Sequence, residues 1–347
     1  MIRRPWLLFV SLALALSLLA GCATQGGDGK KASDGDHPLS VALVLNGTLG
    51  DKGFFDSAAR GIRQAGEELG VQYKIIEATY NPSEWEPALL AAASSGKYDM
   101  IITGTWQMTD IVKKAAQEYP NIKFVIFDEA VEGIPNVYSV RYAENEGSFL
   151  AGAFAAMLSG PKADSFPKSK GNKTVGFVGG MDIPVINNFR VGFEQGVAHV
   201  DPNTKVLVSY IGGFDDVAKG KELALAQFSQ GADIVYNVAG NAGLGVLEAS
   251  KEIDKYSIGV DMDQNPLYPG NTIISMLKNV DVSLFRAIKL HMEGALPYGK
   301  AETLGIEDNG IGLAIDEQYV PKEIVDELSN LIVQMKKGEI KVRSSLE

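Results

Sequence analysis

From residue 39 onward, short apolar runs alternate with longer amphipathic stretches. Residues 39–45 are almost wholly apolar and read as a buried strand. Residues 54–69 carry Ala58, Ile62, Ala65 and Leu69 at helical spacing, and Gly70 follows as a C-cap. The same alternation predicts strands over 71–77, 100–103 and 122–127, and helices over 85–94 and 109–118. Residues 143–158 predict a long helix that opens on Glu144 and Glu146 and carries a face of Gly and Ala suited to close packing. A surface loop is expected over 159–172 and a last helix over 322–337. Strands alternating with helices imply βαβ units and parallel sheets.

Two strand-like runs end on a carboxylate: Phe124-Val125-Ile126-Phe127-Asp128 and Ser257-Ile258-Gly259-Val260-Asp261, 133 residues apart. The run at Val41 recurs at Val175, and the run at Tyr98 recurs at Ala232, each offset by 134. Nearly equal offsets in the same order predict two similar doubly wound lobes. Ligands of parallel α/β sheets bind beyond the carboxyl ends of the strands, so the two Asp are read as jaws of one cleft. The expected division is an N-terminal lobe over 39–141, completed by about 267–300, and a C-terminal lobe over 142–266. Residues 301–347 are left without a lobe.

The first residues follow another pattern. Arg3 and Arg4 precede an apolar run over 7–19, too short to span a bilayer, and then comes Leu19-Ala20-Gly21-Cys22. Residues 1–21 are expected to be a signal peptide, with Cys22, the only cysteine, as the lipid-modified mature N-terminus. That ending resembles the lipobox of bacterial lipoproteins. Residues 22–38 are rich in Gly, Lys, Ser and Asp and are expected to form a flexible tether. The 326 residues left after cleavage suit two domains. Without Arg3 and Arg4, 30 basic side chains face 43 acidic ones, a net charge of −13. This argues against nucleic acid or an anionic lipid surface as an electrostatic partner.

Catalytic and cofactor motifs are missing. His37, His199 and His291 stand near no plausible Ser or Cys nucleophile, and no His/Cys/Asp cluster has metal-ligand spacing. No phosphate-cradling loop is present, and the glycines at 176–180 lack the dinucleotide-binding order. No enzyme activity and no cofactor are expected. What remains is aromatic and acidic groups after strands: Phe54, Trp106 and Phe214, with Asp51, Asp128, Asp182 and Asp261. Aromatic faces stack on flat rings, and carboxylates accept hydrogen bonds from hydroxyls or ring N–H groups.

Specific segments carry a family resemblance over about residues 39–341. They include Asp51-Lys52-Gly53-Phe54, Glu144-Asn145-Glu146-Gly147-Ser148, Val175-Gly176-Phe177-Val178-Gly179-Gly180-Met181-Asp182, Ile258-Gly259-Val260-Asp261 with Asp263-Gln264, and Ser275-Met276-Leu277-Lys278. The chain resembles the basic membrane protein family, the purine nucleoside receptor group of ABC-transporter substrate-binding lipoproteins. The resemblance implies an α/β, type I periplasmic-binding-protein fold: two Rossmann-like lobes with parallel sheets around a hinged cleft. It implies a purine stacked between Phe54 and Phe214, Asp128 on the base, and Asp261 on ribose hydroxyls with Lys278 nearby. Asp51 and the Gly240 backbone complete the pocket, and Trp106, Asp182 and Asn188 join the candidate set. A membrane permease is the implied partner, and the receptor is expected to be monomeric. Phe55 followed by Asp56 stands where the family usually has Asn, and Thr105-Trp106 where it often has Gly-Phe. These departures leave open another flat ligand such as riboflavin; a surface interaction or adhesion role on the same fold is a separate alternative.

Overall fold

The structure is a computed structural model that describes residues 37–346. The signal peptide, Cys22 and nearly all of the tether lie outside the described residues. The first stretch runs β1 (Ser40–Leu45), α1 (Phe54–Leu69), β2 (Gln72–Glu77), α2 (Pro82–Ser94), β3 (Met100–Gly104), α3 (Thr109–Glu118), β4 (Lys123–Phe127) and β5 (Val137–Tyr142). The second runs α4 (Glu144–Ser159), β6 (Thr174–Gly179), α5 (Pro184–Val200), β7 (Lys205–Tyr210), α6 (Val217–Ser229), β8 (Ile234–Val238), α7 (Leu244–Glu252), β9 (Tyr256–Asp261) and β10 (Thr272–Lys278). The chain ends with α8 (Val280–Met292), β11 (Ala301–Leu304), β12 (Ile311–Ile315) and α9 (Lys322–Lys336).

The strands form two six-stranded sheets, β2-β1-β3-β4-β5-β11 and β7-β6-β8-β9-β10-β12. Their orders correspond strand for strand, as the repeat offset requires. All pairings are parallel except β10 with β12. In each sheet the order reverses next to the first strand, so both switch points open at the same kind of edge.

Local chemistry sets the element ends. The Asp51 carboxylate accepts hydrogen bonds from the backbone N–H groups of Gly53, Phe55 and Asp56, satisfying donors that the first turn of α1 leaves free. Helix α2 begins three residues before the expected Trp85, because Asn81 caps it and Pro82 sits at its first position. Nearly every residue of α4 is buried. Its small face packs on α5 so closely that a Cβ on Gly196 would lie 1.9 Å from the Phe149 carbonyl oxygen, and one on Gly152 2.1 Å from that of Phe193.

Two expectations need correction. Strand β5 was not anticipated; it is buried along nearly its whole length, so it lacks the alternation that marks a half-exposed strand. Strand β10 hydrogen-bonds to β9 in the second sheet, so the return to the first lobe begins after Lys278 and not near residue 267. The loop over 159–172 lies largely at the surface, as expected, and is pinned to the body beneath it. Fully buried Asp233 accepts from Ser159 Oγ and from the N–H groups of Lys170 and Asn172, and Phe166 packs edge-on against Phe154 and Tyr256. The segment after residue 300 divides: β11 joins the first sheet, β12 joins the second, and α9 packs on α4. The chain therefore crosses between sheets three times, after β5, β10 and β11.

Candidate ligand cleft

Between the sheets lies a cavity of about 610 Å³, lined from both. Asp128 directly follows β4, and Asp261 is the last residue of the corresponding strand β9. Both adopt left-handed backbone conformations, φ 65° and 64°. That region is costly for a residue with a Cβ and is occupied where the surroundings fix it. The result is two carboxylates turned out of their sheets into one space.

Lys278, at the end of β10, lies between them and is only 2% exposed. Its Nζ stands 2.5 Å from Asp128 Oδ1 and 3.3 Å from Glu144 Oε1. It also stands 5.1 Å from the ring centre of Phe54 and 4.9 Å from that of Phe189. Burial disfavours the ammonium, but Asp128, Glu144 and Asp261 outweigh it, and the lysine stays charged well above neutral pH. One cation cannot neutralise three carboxylates. Burial pushes the Glu144 carboxyl up to about 7, with Asp128 adding to the push and Lys278 opposing it. Burial likewise pushes Asp261 up to about 7 against the pull of Lys278, with Asp51, Asp128 and Glu144 adding repulsion. No hydrogen bond to the Asp261 carboxylate is found among the described residues, although this residue is 7% exposed. It is an acceptor held ready beside the cavity.

The walls are aromatic and aliphatic. Phe54 leans on Phe127 at 5.3 Å and 45° and lines the cavity from the first lobe. Phe214 lines it from the second; Gly180 makes room for it, since a Cβ there would lie 2.3 Å from the Phe214 ring. Trp106 lines the cleft with 46% of its surface exposed, next to Thr105 at φ 74°. Phe55, one of the departures noted above, is largely core. It lies against Gly47, where a Cβ would be 2.1 Å from its ring. Asp56 accepts from the Gly50 and Lys52 N–H groups and braces the loop in front of α1.

Eight of the ten candidate ligand residues converge here: Asp51, Phe54, Trp106, Asp128, Phe214, Gly240, Asp261 and Lys278. Asp182 does not; it is exposed and accepts a hydrogen bond from Asn187. Asn188 does not either. Its Nδ2 donates to Glu144 Oε2 at 2.8 Å, and its Oδ1 accepts from the Ser344 hydroxyl and the Ser345 N–H, so it braces the site from behind. Sequence reading missed Asn46, Gln107 and Tyr80 on the first-lobe wall. Asn46 ends the strand-like run of β1 as Asp128 ends that of β4, and this was the available signal. Glu144 was read as a helix N-terminal acid, and its contact with Lys278 had no mark in the sequence.

The lining residues include aromatic rings, carboxylates and one ammonium, but no arginine. Such a set suits an uncharged ligand with a flat ring and hydroxyl or N–H donors. A phosphate would meet four lining carboxylates, Asp51, Asp128, Asp215 and Asp261, for a single lysine. Among the described residues, no group of three His, Cys, Asp or Glu could hold a metal ion, and no helix is long and apolar enough to cross a membrane.

The family model for "ABC transporter substrate-binding protein PnrA-like" matches residues 39–345. The chain is 32% identical over 312 residues to basic membrane protein D of Borreliella burgdorferi, covering 88% of this chain and 85% of that one. It is 31% identical to the ABC transporter nucleoside-binding protein BmpA of Lactococcus lactis, covering 96% and 97%. Among solved structures, a solute-binding protein of an ABC transporter system from Aeropyrum pernix superposes with a TM-score of 0.79 at 30% identity, covering 88% of this chain and 93% of that one. The family is one of ABC transporter substrate-binding proteins and not of enzymes, and the fold is the periplasmic-binding-protein fold. The chain belongs to the Bmp family of PnrA-like ABC transporter substrate-binding proteins.

Proposed function

We propose that this extracytoplasmic binding protein captures a purine nucleoside and presents it to an ABC permease. The observation that carries the reading is the Asp261 carboxylate, a buried acceptor with no donor among the described residues, in a cleft that Phe54 and Phe214 line from opposite lobes. A ribose offers paired hydroxyl donors to such a group, and a purine offers two faces to the rings. The similarity to the nucleoside-binding protein of Lactococcus lactis supports the same class. Asp128 would meet the base edge, Lys278 would fix Asp128, and Asp51 and the Gly240 backbone would close the pocket. A ligand that touches both lobes favours their closed arrangement by its differential affinity, and the three crossings are where rotation would be absorbed. The chain works as a monomer, tethered to the membrane through an acylated Cys22; incorporation of a palmitate analogue that disappears in Cys22→Ser tests the anchor.

Exposed Trp106 favours a second reading, a larger flat ring such as riboflavin. A thermal-shift panel separates the two. Guanosine, inosine and adenosine should stabilise residues 39–347 by about 2.7 kcal/mol at a hundredfold excess over the dissociation constant. Ribose alone should not. A shift with riboflavin and none with any nucleoside would replace the first reading with the second.

A further inference from the structure

Gln264 does not line the cavity, yet it touches the backbone of both lobes. It is 1% exposed. Its Oε1 accepts from the Val260 N–H at 2.9 Å and from Asn237 Nδ2 at 3.2 Å. Its Nε2 donates across the cleft to the Lys52 carbonyl at 3.1 Å. Its own N–H donates to Ser275 Oγ. Asn237 in turn accepts from the Ala239 N–H, directly before Gly240. The room for this side chain is built in. A Cβ on Gly259 would lie 2.8 Å from Gln264 Cβ and 2.4 Å from Ser275 Oγ.

The three segments joined in this way share a feature. Lys52 has φ 53°, Gly240 φ 53° and Asp261 φ 64°. Left-handed residues persist where neighbouring contacts over-determine them. Each of these lies within two residues of the Gln264 network, and each opens or is a cleft-lining position. Lys52 stands between Asp51 and Phe54, and Gly240 and Asp261 line the cavity themselves.

We infer that Gln264 is a positioning residue: its amide fastens the first-lobe loop that carries Phe54 to the second-lobe turn that carries Asp261, so the stacking wall and the carboxylate are aligned before any ligand enters. This holds whichever ligand fills the cleft. At neutral pH this takes an amide, because the same terminal group must accept from Val260 on one side and donate to Lys52 on the other, and an ionised carboxylate only accepts. Without the donor, the aligned arrangement becomes a smaller fraction of the free protein, and apparent affinity falls by that fraction.

The test uses two variants of the ligand-free chain, Gln264→Met and Gln264→Glu, and hydrogen exchange at the Phe55 and Asp56 amides in the opposite lobe. At pH 8 both variants should raise protection-corrected exchange there by about three- to tenfold, the worth of one hydrogen bond. At pH 5 the protonated carboxyl of Gln264→Glu can again donate to Lys52, and its exchange should return towards that of the unsubstituted chain. Gln264→Met should show no such recovery. Identical behaviour of the two variants at both pH values, or unchanged exchange across the cleft, would overturn the inference. If Gln264→Met does not fold, the pH 5 and pH 8 values of Gln264→Glu decide alone. The dissociation constant for guanosine, as a ratio to the unsubstituted chain at each pH, should follow the same pattern. A chain that ignores guanosine altogether would overturn the nucleoside reading and leave the exchange result to decide the role of Gln264.

Discussion

Replacing Asp261 with Asn should stabilise the ligand-free protein and disable it. The carboxyl titrates near 7 in the fold against 3.8 as an ordinary group. Between these values the folded state holds a proton that the unfolded chain has released. Stability is therefore undiminished below about pH 4, falls as pH rises towards 7, and is lowest above it. Three units at 1.36 kcal/mol each give a cost of about 4 kcal/mol at pH 8. Asn removes that cost, and no cation is stranded, because Lys278 keeps Asp128 at 2.5 Å and Glu144 at 3.3 Å. For ~310 folded residues at ~2.1 cal/mol/K each, about 4 kcal/mol corresponds to a rise in Tm of roughly 6 °C at pH 8. The gain should shrink to about 2 °C at pH 5, where the unfolded carboxyl is still mostly ionised but the folded one is not. Calorimetry at the two pH values measures this. Hydrogen bonds from ligand hydroxyls to a carboxylate are worth ~1.5–3 kcal/mol each, so the same variant should bind a nucleoside at least tenfold more weakly. A variant less stable than the parent at pH 8 would refute the idea of an uncompensated carboxylate, and unchanged affinity would refute its role in the cleft.

The opposite sign is expected for Lys278→Met, which leaves Asp128, Glu144 and Asp261 facing one another without a cation; urea unfolding at pH 8 should show a loss of about 3–5 kcal/mol, much of it recovered at pH 5. Phe214→Ala should cost ~1–3 kcal/mol of affinity for nucleosides in titration calorimetry and leave the melting temperature of the free protein nearly unchanged, since the ring is only half-buried. Gly196→Ala should lower stability by at least ~1–3 kcal/mol in chemical denaturation, because its Cβ would meet the Phe149 carbonyl oxygen at 1.9 Å in the α4–α5 seam.

The parts of this molecule that were legible in sequence are those where one residue type answers one local demand. Apolar runs gave the strands, the 134-residue offset gave the repeated sheet order, and a carboxylate closing each of two runs marked the floor of the cleft. Strand β5 was hidden because burial along nearly all of it removes the period-two signal. The fate of β10 was hidden because a crossing is decided by which sheet edge a strand pairs with, a non-local choice. Asp182 sits in the bend before α5, where it faces solvent, and Asn188 sits in α5, where helix phase turns it towards Glu144 and the C-terminal segment. Glu144 shows the general difficulty. In sequence an acid at a helix start is an ordinary cap, and only its distance to Lys278, 134 residues away, makes it part of the cleft.

Charge and capture are linked in this arrangement. In the free protein Asp261 and Glu144 both titrate near 7 around the single Lys278 ammonium. Ligand hydroxyls donate, so they select the ionised form of Asp261, and a proton bound there competes with them. Affinity for a nucleoside should therefore rise with pH between about 6 and 8 and level off above, and capture below about pH 7 should release up to one proton. Titration calorimetry in buffers of different ionisation heat reads that proton directly. In Asp261→Asn the remaining weak binding should lose most of its pH dependence, with any residue belonging to Glu144. Affinity that falls as pH rises through 7, or proton uptake on binding, would mean that the ligand meets a protonated carboxyl. Asp261 would then be a donor, and the ligand group opposite it an acceptor and not a sugar hydroxyl.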